Sequence, residues 1–349
     1  MTIKAHTAGS LTFTEIAAEW GGSKPHSLDE YHSGESLVYS GATGAPGGST
    51  TTIPSSGTIS FSNFYASERF IEAGSFTTVS ATGTRNGGQD TSTVTVPSEA
   101  NAIYIINTVA GGGGGIRGSD HKDVGESAGD GGGGGAAISA GYFTVTGGET
   151  LTLKVGRGGD NNVVFWPTGG AIAYVQTSNS ANIDGGNTSI VGSSSGTLFN
   201  LGGGSGAIAT RVGQFKLLRL DSPGSGGAVG SFSGNLSSGT TTGGASVGSV
   251  SSSAGSTGSD GAEVGENQSS NGGAGGNSGL GSGGGAGGTN NVKGGDGVQG
   301  GGGGGGHSQS TNNPAGGTSS DGDHGAVGAS THGGLGGQGQ LQYKFVRVT

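Results

Sequence analysis

The residues best equipped for metal chemistry are Asp321, Asp323 and His324, with His307 and His332 nearby in sequence. A closed metal site needs a full set of such ligands. Asp alternating with Gly, as in Asp321-Gly322-Asp323, more commonly makes turns, because the carboxylate bonds its own backbone. The turn is therefore the preferred reading, and no metal is expected. Glycoside cleavage needs two carboxylates facing each other across a cleft. Here the 23 acidic residues are scattered, and those between 100 and 340 mostly stand beside glycine. Matches to Gly-x-Gly-x-x-Gly are frequent only because 87 of 349 residues are glycine. None opens a helix after a strand with an acidic residue placed for a ribose. Gly203-Gly204-Ser205-Gly206-Ala207 fails the nucleophile elbow at its last position. The chain has no cysteine and hence no thiolate. No enzyme activity and no cofactor are expected.

Recognition chemistry is the better prospect. Asp160 to Pro167 sets Asn161, Asn162, Phe165 and Trp166 between two glycine turns, and exposed aromatics stack on sugar faces and apolar patches. The same aromatics could instead plug the end of the fold. Residues 308–320, with Asn312 and Asn313, and residues 119–130 are further candidates, since polar loops on a rigid scaffold commonly carry binding; solvated linkers are the alternative.

The elements that must position these loops are set by glycine. Residues 221–340 hold runs such as Gly283-Gly284-Gly285 and Gly301 to Gly306. Glycine weakens ordinary helices and strands, so the segment is either unfolded or packed through glycine itself. Its low charge, its few prolines and the strand-like sequence on both sides favour packing. Collagen is excluded, because the period-three runs are short and the chain has only 7 prolines. The expected fold is mainly β with a bundle or sandwich of antiparallel polyglycine-II helices, whose closely approaching backbones satisfy one another. Strands are expected at 92–97, 102–109, 136–146, 150–155, 171–176, 188–191, 207–220 with a bend at Gly213, and 340–348. The 136–146 and 150–155 strands are expected to form a hairpin at Gly147-Gly148. The last strand should place Leu341, Tyr343 and Phe345, or the opposite set, on a buried face and pair with an early strand.

Residues 1–72 carry a weak threefold repeat. Thr12 to Glu15 and Ser27 to Glu30 fit the capping box and predict short helices. Such a segment is expected to make little core of its own and to dock on a partner through Phe13, Ile16, Trp20, Leu28, Tyr31, Phe61, Phe64 and Tyr65. Residues 73–220 are expected as a β-rich framework and 221–349 as the glycine-rich region closed by the final strand, with 73–349 one composite domain. The net charge of −9 argues against nucleic acid and against an anionic membrane surface. No stretch has the apolar length to span a membrane or the make-up of a signal peptide, so synthesis in the cytoplasm without insertion is expected.

Two resemblances sharpen these expectations. Ile53-Pro54-Ser55-Ser56-Gly57-Thr58-Ile59-Ser60-Phe61-Ser62-Asn63-Phe64-Tyr65 resembles the N-terminal segment of tailed-bacteriophage virion proteins, chiefly tail and fibre components. Val96 to Gly115, with Gly336 to Val348, is similar to a glycine-rich domain of phage tail-tip adhesins and some receptor-kinase ectodomains. The resemblances imply a virion tail or fibre-tip protein that docks on other virion proteins through its N-terminus. Loops at one end of the sandwich would bind a host outer-membrane protein or polysaccharide. A purely architectural tail or head protein is the alternative, and a polysaccharide depolymerase a more distant one. Monomer and homotrimer both stay open.

Overall fold

The computed structural model describes residues 3–22, 27–34, 37–38, 42–45, 49, 51–67, 75–115, 126–127, 130–160, 183–211, 218–241, 244–261, 263–264, 271–287, 294–303 and 333–348. The fold is mainly β, with antiparallel sheets of five and six strands and three two-stranded ribbons among the described residues.

Residues 3–67 build a small unit from capped turns. The Thr12 N–H donates to Glu15 Oε2 at 2.9 Å and the Glu15 N–H to Thr12 Oγ1 at 3.3 Å, which starts the helix Phe13–Trp20. Ser60 N–H donates to Asn63 Oδ1 at 2.8 Å at the 3-10 turn Phe61–Phe64. The box expected at Ser27 is not formed. Leu28–Tyr31 is a 3-10 turn, and its tighter winding brings the Asp29 N–H, at 3.3 Å, to the Ser27 hydroxyl.

The expectation that this segment makes little core of its own is corrected here. Ile16, Trp20, Tyr31 and Phe64 are fully buried together with Val38, Ala42 and Ile53, and Phe13, Leu28, Phe61 and Tyr65 pack against them partly buried. The Trp20 indole N–H donates to Ser67 Oγ at 3.1 Å and the Tyr31 hydroxyl to Gly21 O at 2.8 Å, so both polar tips are satisfied inside the core. Each short turn contributes only one or two large side chains. Their convergence from distant positions makes the core.

From residue 75 onward two sheets face each other. The larger is ordered Asn235–Leu236, Ala137–Thr144, Ala102–Val109, Gln340–Val346, Thr77–Ser80, with Ser251–Ser253 also pairing to the 137–144 strand. The other is ordered Val229–Phe232, Gly196–Leu201, Thr188–Gly192, Thr150–Gly156, Gln89–Thr95. Their inner faces share one core, including Ile103, Ile105, Phe143, Leu341 and Tyr343 from the first sheet and Leu151, Leu153, Ile190 and Phe199 from the second. The final strand pairs with both the 77–80 and the 102–109 strands, and Phe345 packs against the core beside Leu341 and Tyr343.

Two local expectations are overturned. Gly147-Gly148 does not close a hairpin, because the 137–144 and 150–156 strands lie in different sheets and this turn arches across the core. Ile138 and Phe143 from one strand and Leu151, Leu153 and Val155 from the other enter the same interior, so each strand completes its pairing with other neighbours. The 207–220 stretch is not one bent strand. Ile208–Arg211 and Leu218–Ser222 pair antiparallel with each other. The strand expected at 171–176 lies outside the described residues.

At one end of the sandwich the strands run on into glycine. The 102–109 strand continues into 110–115, 131–136 leads into the 137–144 strand, and 202–207 and 333–339 adjoin the 196–201 and 340–346 strands. Successive N–H groups of 131–136 donate to Ser259, Gly303, Ser205, Ser256, Gly300 and Gly202, at 2.7–3.0 Å. Every third residue thus returns to the same neighbour. The six carbonyls accept in turn from Gly224, Gly276, Gly113, Gly227, Gly279 and Ala110. Three segments receive and three donate, and no bond is internal to 131–136. All its backbone polar groups are nonetheless paired, as burial requires.

Such packing leaves no room for side chains. A Cβ on Gly133 would stand 1.9 Å from Ser225 O, and one on Gly134 2.0 Å from Asn277 O. The partners come from both the 73–220 and the 221–349 stretches, which interleave in a single hydrogen-bonded array.

Candidate functional site

The hydrogen-bond register fixes which end of the array is which. Ala110 pairs with Ala136 and Gly112 with Gly337 beside the sandwich, whereas Gly115 pairs with Gly334, Gly114 with Ile183, Gly131 with Ser259 and Gly132 with Gly303 toward the other end. Residues 115, 130, 160, 183, 261, 271, 303 and 333 therefore lie toward the end remote from the sandwich. The ribbon of Glu126–Ser127 with Glu263–Val264 and that of 208–211 with 218–222 continue from this same end. One end of the array thus brings together residues from 115 to 333 of the chain.

Carboxylates hold this frame. Asp90 accepts from Thr82 N–H at 2.6 Å and Gly83 N–H at 3.0 Å, and from Arg157 Nε at 2.8 Å. The Thr82 N–H bond leads, and with Arg157 and the Gly83 N–H it outweighs the cost of burial, so the Asp90 pKa falls to about 2. Burial works against the Glu149 carboxylate, but the Ser195 hydroxyl and the N–H groups of Thr146, Ser195 and Ser194 more than offset it and lower its pKa. Glu149 therefore ties the 146–149 arch to the 193–195 turn. Burial raises the Asp184 pKa against one opposing bond from Gly206 N–H at 2.7 Å. Asp130 accepts from Gly261 N–H at 2.7 Å. Each of these groups is occupied in fixing backbone.

No family model matches the chain, and no curated protein matches it.

Of the sequence-derived recognition residues, Asn161, Asn162, Phe165, Trp166, Asn312 and Asn313 lie outside the described residues, as do Asp321, Asp323, His324, His307 and His332. Their described flanks, Asp160 with Ile183 and Gly303 with Gly333, belong to the remote end. Of the eight expected docking residues, Ile16, Trp20, Tyr31 and Phe64 are core and offer no surface. The partly buried Phe13, Leu28, Phe61 and Tyr65 are the ones a partner can reach. Among the described residues no helix is long and apolar enough to cross a membrane, and no group of three or more His, Cys, Asp or Glu is gathered as for a metal ion.

One feature escaped the sequence reading. Gln340 and Gln342 alternate on the outer face of the last strand, and Gln338 precedes them at the same spacing. The period-two pattern Gln-x-Gln-x-Gln is its signal in the sequence, on the face opposite the buried Leu341 and Tyr343.

Proposed function

We propose that this chain is a tail or tail-fibre-tip protein of a bacteriophage virion, whose glycine segments are polyglycine-II helices presenting receptor-binding loops. The observation that carries this reading is the gathering of residues from 115 to 333 of the chain at the end of the array remote from the sandwich. Three residues per turn, outward-pointing backbone groups and bonding only between chains are the properties of the polyglycine-II form, and the register of 131–136 has the same periodicity. A scaffold held this way has few soft degrees of freedom, which suits loops that must meet a host surface molecule, protein or polysaccharide, already ordered. The 3–67 unit, self-contained in its core, would dock on other virion proteins through Phe13, Leu28, Phe61 and Tyr65. In this role the chain acts by binding and not by catalysis.

Adsorption to host cells tests the proposal. Trp166→Ala, and separately Asn312→Ala with Asn313→Ala, should reduce binding of the full-length chain to host cells while leaving its melting temperature unchanged. If wild-type chain binds no cells and is needed only to assemble the tail, the protein is architectural and receptor binding is excluded.

A further inference from the structure

Beside the sandwich, a cavity of about 370 Å3 opens where the last strand meets the 297–299 turn. Its lining includes Arg85, Asp296, Val298, Gln299, Gln338 and Gln340. Gln342 lies two residues further along the same outer face, past a bulge, with Ile106 as its register partner and the Asn107 side chain within reach. The Gln299 carboxamide donates to Gln340 Oε1 at 3.3 Å and that of Asn107 to Gln342 Oε1 at 3.4 Å. These are long bonds. The carboxamide N–H groups of Gln340 and Gln342 have no partner among the described residues.

Backbone geometry singles out the same place. Asn107 and Gln299 both hold φ at +41°, a region non-glycine residues rarely occupy and one that marks sites where a side chain is re-aimed. At the far end of the row, Phe76 meets Tyr104 edge-on at 5.5 Å, with the Lys344 ammonium 5.4 Å from the Phe76 ring centre. Val298 is 61% exposed at the near end.

We propose that this row binds a neutral, hydroxyl-rich oligosaccharide. A carboxamide both donates and accepts, as a sugar hydroxyl does. Apolar Val298 and the Phe76–Tyr104 edge bracket the row, where the C–H faces of sugar rings can rest. An anionic ligand fits less well, because Arg85 is neutralised by Asp296 at 3.2 Å and the one other cation of the row, Lys344, lies at its far end against the Phe76 ring. An extended peptide also fits less well. Residues 340–343 are already paired on both sides, so the middle of the row offers no open edge to augment. The site lies beside the sandwich and does not depend on the adhesin reading.

Saturation-transfer NMR of the full-length chain with neutral hexasaccharides of glucose, galactose and N-acetylglucosamine tests it. At least one should bind with Kd on the order of millimolar, and the double variant Gln340→Ala, Gln342→Ala should weaken it about tenfold at unchanged melting temperature. Asn107→Gly, which keeps the backbone conformation and removes the carboxamide, should give an intermediate loss. The proposal is overturned if none of the hexasaccharides binds, if the double variant binds as well as wild type, or if a Gly-Ser peptide displaces the sugar. Trp166→Ala should leave this binding unchanged, which separates the groove from the remote end.

Discussion

The sandwich and the glycine array adjoin in one chain but exclude water by opposite means. In the sandwich, Phe143, Phe199, Leu151 and Ile103 fill space with side chains, and backbone bonds run only within each sheet. In the array, 131–136 has no side chain beyond one methyl, and its backbone bonds reach six segments, three by donation and three by acceptance. A side-chain core stores its stability in volume and tolerates swaps that conserve volume. A backbone core stores it in proximity. It tolerates the loss of nothing and the addition of nothing, and it explains how a chain with only 29% hydrophobic residues folds over this length.

The sharpest way to break that contrast is Gly133→Val. Its Cβ would fall 1.9 Å from Ser225 O with backbone on every side, so the array must open, and a loss of more than about 5 kcal/mol is expected by chemical denaturation. Phe143→Ala, in the sandwich, leaves a cavity instead of a collision and should cost about 3 to 5 kcal/mol. A value for Gly133→Val smaller than that for Phe143→Ala would reverse the account.

Asp90 joins the two regions through Arg157, and its effect should be smaller and pH-dependent. Its folded pKa, about 2, lies below the ordinary 3.8, so its contribution is present in full above about pH 4 and is lost as pH falls toward 2. With the side chain one-quarter exposed, Asp90→Asn should cost about 1 to 2 kcal/mol at pH 7 and almost nothing at pH 2. Equal costs at both pH values would mean that Asp90 acts by shape alone. The smallest effect belongs to Gly248→Ala, where a Cβ meets nothing within 4 Å. A change within about 0.5 kcal/mol is expected, and a large one would show that glycine serves some purpose here other than close approach.

Much of this was legible in the residues. The 102–109 run of apolar residues and the alternation of 340–346 announced strands, and Thr12 with Glu15 announced a helix start. The arch at Gly147-Gly148 was not legible, because a glycine pair between two strands is compatible with a hairpin and with a crossing between sheets. Only the partners of each strand distinguish them. The N-terminal core was missed because each turn brings too few apolar residues to look like a core alone, and burial of Trp20 and Phe64 depends on contacts across more than forty positions. Glycine runs signalled close packing. Which run meets which is set by a three-residue register that identical residues cannot encode, and polar punctuation such as Asp130, Asp184 and Asn187 binds particular glycine N–H groups to help fix it.

Native-state hydrogen exchange at the amides of Gly131 to Gly135 tests the central claim most directly. If these glycines are held by bonds to six neighbours, they should exchange as slowly as Ile103 and Ile105 in the adjoining strand, through the same opening. Exchange at the rate of an unstructured peptide, with the strand still protected, would contradict the account.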